Sequence, residues 1–154
     1  MTLKEFYEQI DSDYKDVIKR LCDEDMIKKF VFKFPEDPSF NDLTDGLKEN
    51  DAEKAFCAVH TLKGVCSNLG FERLYEASYE LTEKLRNRVI DNCDELYNKV
   101  ERLYTDLIAK IKKLINLKYR LQTEVGILCH TESILKAQHR LELSALKGGD
   151  CRVG

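Results

Sequence analysis

His60, Lys63, Gly64 and Ser67 follow one another at steps of three, one and three residues in the run His60-Thr61-Leu62-Lys63-Gly64-Val65-Cys66-Ser67-Asn68-Leu69-Gly70. On an α-helix this spacing gathers side chains on one face. An apolar stripe passes through Val59 and Leu62. His60 lies about 100° round the helix from Val59, so it belongs at the edge of that stripe, toward solvent. A solvent-facing imidazole is largely neutral at pH 7 and therefore nucleophilic. Lys63 sets a positive charge one turn away. Gly64 is the odd choice, because Gly inside a helix costs about 1 kcal/mol relative to Ala. Taken singly, each residue has a plainer reading. A helical His is often simply solvated, a mid-helix Gly can let two helices pack closely, and one Lys carries no information. Together they describe a nucleophile, a cation and a bare patch, which suits a phosphoryl group arriving and leaving.

Other constellations are weaker. Cys57 and His60 are three apart, but no further ligands stand near them in sequence, and zinc usually takes four. The pair also lacks an orienting acid for nucleophilic work. Cys129-His130, His139 and Cys151 have no familiar metal spacing. The six cysteines include no CxxC pair and read as reduced, mostly small buried side chains of a cytosolic protein. No metal site and no bound cofactor are expected.

The elements that must position these residues are helical. The chain has 154 residues, only 7 Gly and 2 Pro, and 34% charged residues, which argues against tight-turned β folds and against low-complexity disorder. A net charge of −3 makes a nucleic-acid footprint unexpected. Lys110, Lys112 and Lys113 read as a solvated face rather than a membrane patch. No apolar run is long enough to span a bilayer, and the charged start is not a signal peptide.

Short helices are predicted over 2–10, from a Ser12 or Asp13 cap to about Cys22, and from Met26 to Phe34, where Pro35 and Pro38 stop the chain. Four longer ones follow: Ser39 to Lys48, Ala52 to Leu69 with Gly70 as its stop, Phe71 to about Arg88, and a fourth, capped by Asp91 or Asn92, to about Asn116. Their stripes, such as Ala55, Val59, Leu62, Cys66 and Leu69, fit an antiparallel four-helix bundle. The expected fold is thus all-α, with covering helices over 1–38, a bundle over 39–116, and an extension over 117–154. Six basic and four acidic residues give that extension +2, leaving −5 for residues 1–116. Helix to about Leu128 and a second helix over 131–147 are both compatible with its sequence.

The run His60 to Gly70 resembles the signature of the histidine-containing phosphotransfer (HPt) domain, H-x-L-K-G followed six residues later by Gly. The fit continues through Phe71, Leu74, Tyr75 and Glu76 to Leu81 and Leu85, and residues 1–116 look like a small free-standing HPt protein. The resemblance implies a phosphorelay intermediate. His60 would take a phosphoryl group from a receiver-domain aspartate and pass it to another, with Lys63 as partner of the phosphoryl oxygens and Gly64 as clearance for the docking receiver. It implies response-regulator receivers and hybrid or sensor histidine kinases as partners, Mg²⁺ on the receiver, and no ATP-dependent kinase activity in this chain. Ser67, Thr82 and Arg86 would lie at the periphery. Some relatives carry a Gln that bonds the histidine where this chain has Thr82, and chemotaxis-kinase domains carry a second His and a Glu where it has Tyr79 and Thr82. The second departure favours a stand-alone carrier over a chemotaxis-kinase fragment. Phe56 and Leu43 are docking candidates if exposed. The competing reading is a helical adaptor in which His60 is never phosphorylated.

Overall fold

Each short helix begins on a side chain that satisfies its free N–H groups. Thr2 and Glu5 form a reciprocal capping box on α1 (Leu3–Gln9). The Asp13 carboxylate accepts from the Lys15 and Asp16 amides and opens α2 (Tyr14–Leu21), so Asp13 rather than Ser12 is the cap. Asp23 opens α3 (Glu24–Lys33), and Pro35 then sits in a 3-10 turn over Phe34–Glu36. The longer helices are α4 (Ser39–Lys48), α5 (Ala52–Leu69), α6 (Glu72–Leu85) and α7 (Asp94–Lys147). The computed structural model describes the backbone of residues 1–147 and the side chains of residues 1–120. Among the described residues the fold is all-α.

Four boundaries differ from expectation, each for a local reason. Helix α3 starts at Glu24 rather than Met26, because Asp23 is already the cap and the next two acids fill the first turn. Helix α6 ends at Leu85 rather than Arg88. Its last bonds tighten, with the Arg88 amide donating to the Leu85 carbonyl at 2.9 Å, and Arg88 turns to φ +60°. Neither Asp91 nor Asn92 caps α7. Asn92 has φ +58°, outside the extended backbone a cap adopts, and the Cys93 carbonyl accepts the first bond, from Tyr97, at 2.8 Å. Finally, α7 runs unbroken to Lys147, past the end expected near Asn116 and across the gap between the two tail helices that the sequence allowed. Gly126 alone is too weak a breaker to stop it.

The chain divides into a unit over Met1–Ile115 and another over Asn116–Gly154. In the first, short connections make α4, α5 and α6 antiparallel neighbours. The first stretch of α7 closes this helical bundle. Phe40 of α4 stacks on Tyr104 with ring centroids 4.0 Å apart, and Lys99 reaches Glu80 of α6 at 2.9 Å. Gly46 lets α4 and α5 touch, since a Cβ there would stand 2.7 Å from the Ala55 amide nitrogen. The stripe Ala55, Val59, Leu62, Cys66 and Leu69 is buried, as are Leu74, Ala77, Ser78, Leu81 and Leu85 of α6.

The N-terminal helices lock the far end of α5. Phe6, Phe34 and Phe71 pack edge to face, with centroids 5.0 Å apart for Phe34 and Phe71. The buried Tyr7 hydroxyl donates to the Leu69 carbonyl at 2.8 Å, which satisfies an orphan acceptor of the α5 terminus. Burial also pushes the Tyr7 phenol well above its ordinary pKa, so it stays a donor. Arg20 donates to the Ser67 carbonyl from the same side. Along α3 and the turn after it, Val31 and Phe34 are buried, Phe32 is half-buried and Phe30 is exposed.

Two substitutions separate the helical glycines. Gly46→Ala meets backbone and should destabilise the fold by about 1–3 kcal/mol. Gly64→Ala should stabilise it by up to ~1 kcal/mol, because nothing lies within 4 Å of a Cβ at that position. Urea unfolding of both variants reads the opposite signs. Tyr7→Phe leaves the Leu69 carbonyl unpaired and should cost about 1–3 kcal/mol in the same assay.

Candidate functional site

Because α5 buries Val59, Leu62 and Cys66, its opposite face carries His60, Gly64 and Ser67 into solvent. Lys63 is half-buried beside them. Its ammonium sits 5.5 Å from the centre of the Tyr79 ring on α6, a cation–π distance. Its charge also reaches Glu83, whose carboxyl is held below the usual range first by Arg86 and further by Lys63. Among the described residues Lys63 forms no ion pair.

Gly64 stands on open surface. No atom lies within 4 Å of the Cβ it lacks, so close helix packing does not account for it. At Gly46 that account does hold. The contrast assigns the two glycines different reasons for existing.

On the N-terminal side of His60 the surface is built up. Phe56, one turn earlier, lies against the imidazole with ring centroids 5.9 Å apart and planes inclined by 29°. Arg88, from the turn after α6, lays its guanidinium 3.7 Å from the centre of the Phe56 ring. Glu53 holds that guanidinium through both carboxylate oxygens, and its own carboxyl is lowered chiefly by Arg88. The exposed Cys57 thiol also turns to Glu53, at 3.5 Å. Desolvation and this carboxylate raise the thiol above its ordinary pKa, which leaves it a poor nucleophile.

The remaining expected residues fall in different places. The Ser67 side chain is exposed two turns beyond His60, its carbonyl taken by Arg20. Thr82 is fully buried and its hydroxyl donates to the Ser78 carbonyl at 2.6 Å, so it is turned away from the surface and is not offered to the imidazole. Arg86 is exposed and paired with Glu83, its Nε 3.0 Å from the carboxylate. Leu43 is fully buried and drops out as a docking residue, whereas Phe56 is half-buried. An apolar groove of about 710 Å³ opens beside the C-terminal half of α5, where Phe30, Lys33 and Phe34 face Val65 and Asn68. Phe30 and Met26 of α3 are both exposed, and Phe30 lines this groove; neither was read from the sequence as a docking residue. Glu53 and Arg88 were missed as well. Glu53 was findable, at seven residues before His60 on the same face; Arg88 was not, because only the turn after α6 delivers it.

The cysteines are less buried than expected: Cys66 and Cys93 are buried, Cys22 and Cys57 exposed, and all four are free thiols. Among the described residues no three His, Cys, Asp or Glu side chains gather as a metal site. Cys129, His130, His139 and Cys151 lie outside the residues whose side chains are described. No helix among the described residues is long and apolar enough to cross a membrane.

Residues 25–112 match the Hpt domain family. No curated protein and no solved structure matches the chain. The match spans more than half of the chain, from α3 into α7, and takes in His60 with everything arranged around it. Hpt domains serve phosphotransfer in two-component signalling and engage receiver domains and histidine kinases. On this match and this all-helical bundle, the chain belongs to the Hpt domain family.

Proposed function

We propose that the protein is a phosphorelay intermediate that carries its phosphoryl group on His60. The observation that carries this reading is Gly64. A glycine inside a helix, on open surface, one turn from an exposed imidazole, is a cost without a packing return. It becomes useful when another protein must lay its own surface beside that ring.

The step is a direct transfer. The Nε2 lone pair of a neutral imidazole, protonated at Nδ1, attacks the phosphorus of a receiver acyl phosphate. The N–P bond forms as the P–O bond to the aspartyl carboxyl breaks, and the aspartate leaves as a carboxylate. The product is a phosphorylated imidazolium, so no proton moves and charge balances. Lys63 supplies positive charge to the phosphoryl oxygens during transfer. Ser67 and Arg86 lie at the rim. The groove between Phe30 and Val65, whose lining includes Asn68 one turn beyond Gly64, offers apolar surface to a receiver helix. The reverse reaction onto a second receiver uses the same groups. In this reading Mg²⁺ sits on the receiver, the chain needs no cofactor, a sensor or hybrid kinase lies upstream, and the exchange takes place in the cytoplasm. A passive helical adaptor would leave Gly64 without a reason.

The chain, incubated with a panel of phosphorylated receivers, should acquire acid-labile, base-stable phosphate, and His60→Gln should acquire none. Failure with every receiver would favour the adaptor. Gly64→Gln should keep its helical circular dichroism yet slow transfer by about tenfold or more, a barrier increase of ~1.4 kcal/mol. Lys63→Met should slow it by a similar factor. Wild-type rates in both variants would remove the assigned roles.

A further inference from the structure

A surface histidine usually samples several rotamers, and here one flank of the ring is bare. Gly64, one turn ahead, has no side chain to steady the imidazole, and Lys63 leans instead on Tyr79. Support from the helix itself must come from one turn behind, at Phe56, whose ring lies 5.9 Å from the imidazole centroid. Phe56 is held in turn. The Arg88 guanidinium covers its ring at 3.7 Å, Glu53 grips that guanidinium, and the Arg86 carbonyl accepts from Arg88 Nη1 at 2.7 Å.

Arg88 occupies its place against backbone preference. Its φ is +60°, the left-handed region that Gly and Asn adopt more readily than a long side chain. A surface pair with Glu53 contributes little to stability on its own. The benefit of Arg88 is therefore to be sought at the ring it covers.

We propose that Phe56 and Arg88 are positioning residues for phosphoryl transfer: Phe56 is the platform that orients the His60 imidazole, and Arg88, anchored by Glu53, clamps the platform. The proposal rests on His60 being the phosphoryl carrier. It adds no chemical step and assigns neither residue a contact with phosphorus. Its content is orientational, since a nucleophile held near the line of attack reacts faster than one that must find it. The clamp also explains why one flank of His60 can be left open for a partner without leaving the ring loose.

The test uses the full chain and two readouts. Ring-proton NMR of His60 reports the aromatic platform directly, through its ring current, without any phosphoryl group. Single-turnover transfer from a phosphorylated receiver, at varied receiver concentration, separates the saturating rate from the half-saturating concentration. Phe56→Leu should remove the ring-current shift and lower the saturating rate by about tenfold, with the half-saturating concentration moved less than about twofold. Phe56→Tyr should restore both. Arg88→Gly relieves the backbone, so its thermal unfolding should be no lower than wild type, yet the His60 shifts should broaden or move and the saturating rate should fall. Unchanged shifts and rate in Arg88→Gly, or a loss confined to the half-saturating concentration, would overturn the proposal and make Arg88 a docking contact or a bystander. A wild-type chain that takes phosphate from no receiver would defeat the carrier reading itself. Transfer that survives with the ring shifts abolished would defeat the positioning role alone.

Discussion

The rotational setting of α5 about its own axis governs everything at the site. Val59, Leu62 and Cys66 are fully buried and Leu69 nearly so. Each such side chain contributes roughly 1.5–3 kcal/mol by leaving water. Turning the helix by one residue would carry that stripe out and His60 in, a loss comparable to the whole stability of a domain, about 5–15 kcal/mol. The imidazole is exposed because the opposite face has no alternative to burial. Gly46 sharpens the constraint, since it brings α4 against Ala55 of α5.

The N-terminal helices extend this control to the other end of α5. Tyr7 bonds the Leu69 carbonyl and Arg20 the Ser67 carbonyl. Gly70, at φ +67°, turns the chain where any side chain would run into Val17. The terminus that carries Ser67 and borders the Val65 groove is thus pinned by backbone acceptors, while its surface stays available. These helices do more than shield the core: they fix the frame in which the exposed face is presented.

Much of this was legible in the sequence because it follows from period and punctuation. The buried stripes of α5 and α6 and the Gly70 stop depend on residues within a turn or two of one another. So does the placement of His60, Lys63, Gly64 and Ser67 on one face. What escaped depends on long-range geometry or on backbone sign. Asn92 looks like a cap by residue type but has a left-handed φ. The family resemblance puts Thr82 near the histidine, but it spends its hydroxyl on its own helix. Arg88 reaches the site only because α6 ends one turn early and the chain reverses over Phe56. The unbroken α7 reflects a competition the sequence states only weakly, one Gly against a long run of helix formers.

The central claim is that the exposed ring of His60, and no other group, receives the phosphoryl moiety. The most direct measurement is phosphorus–nitrogen coupling in a chain labelled with ¹⁵N in its histidine rings, recorded after exchange with a phosphorylated receiver. The account predicts a single coupled phosphorus signal, joined to Nε2 of His60. A phosphorus signal coupled to His130 or His139, or to no histidine nitrogen, would contradict it.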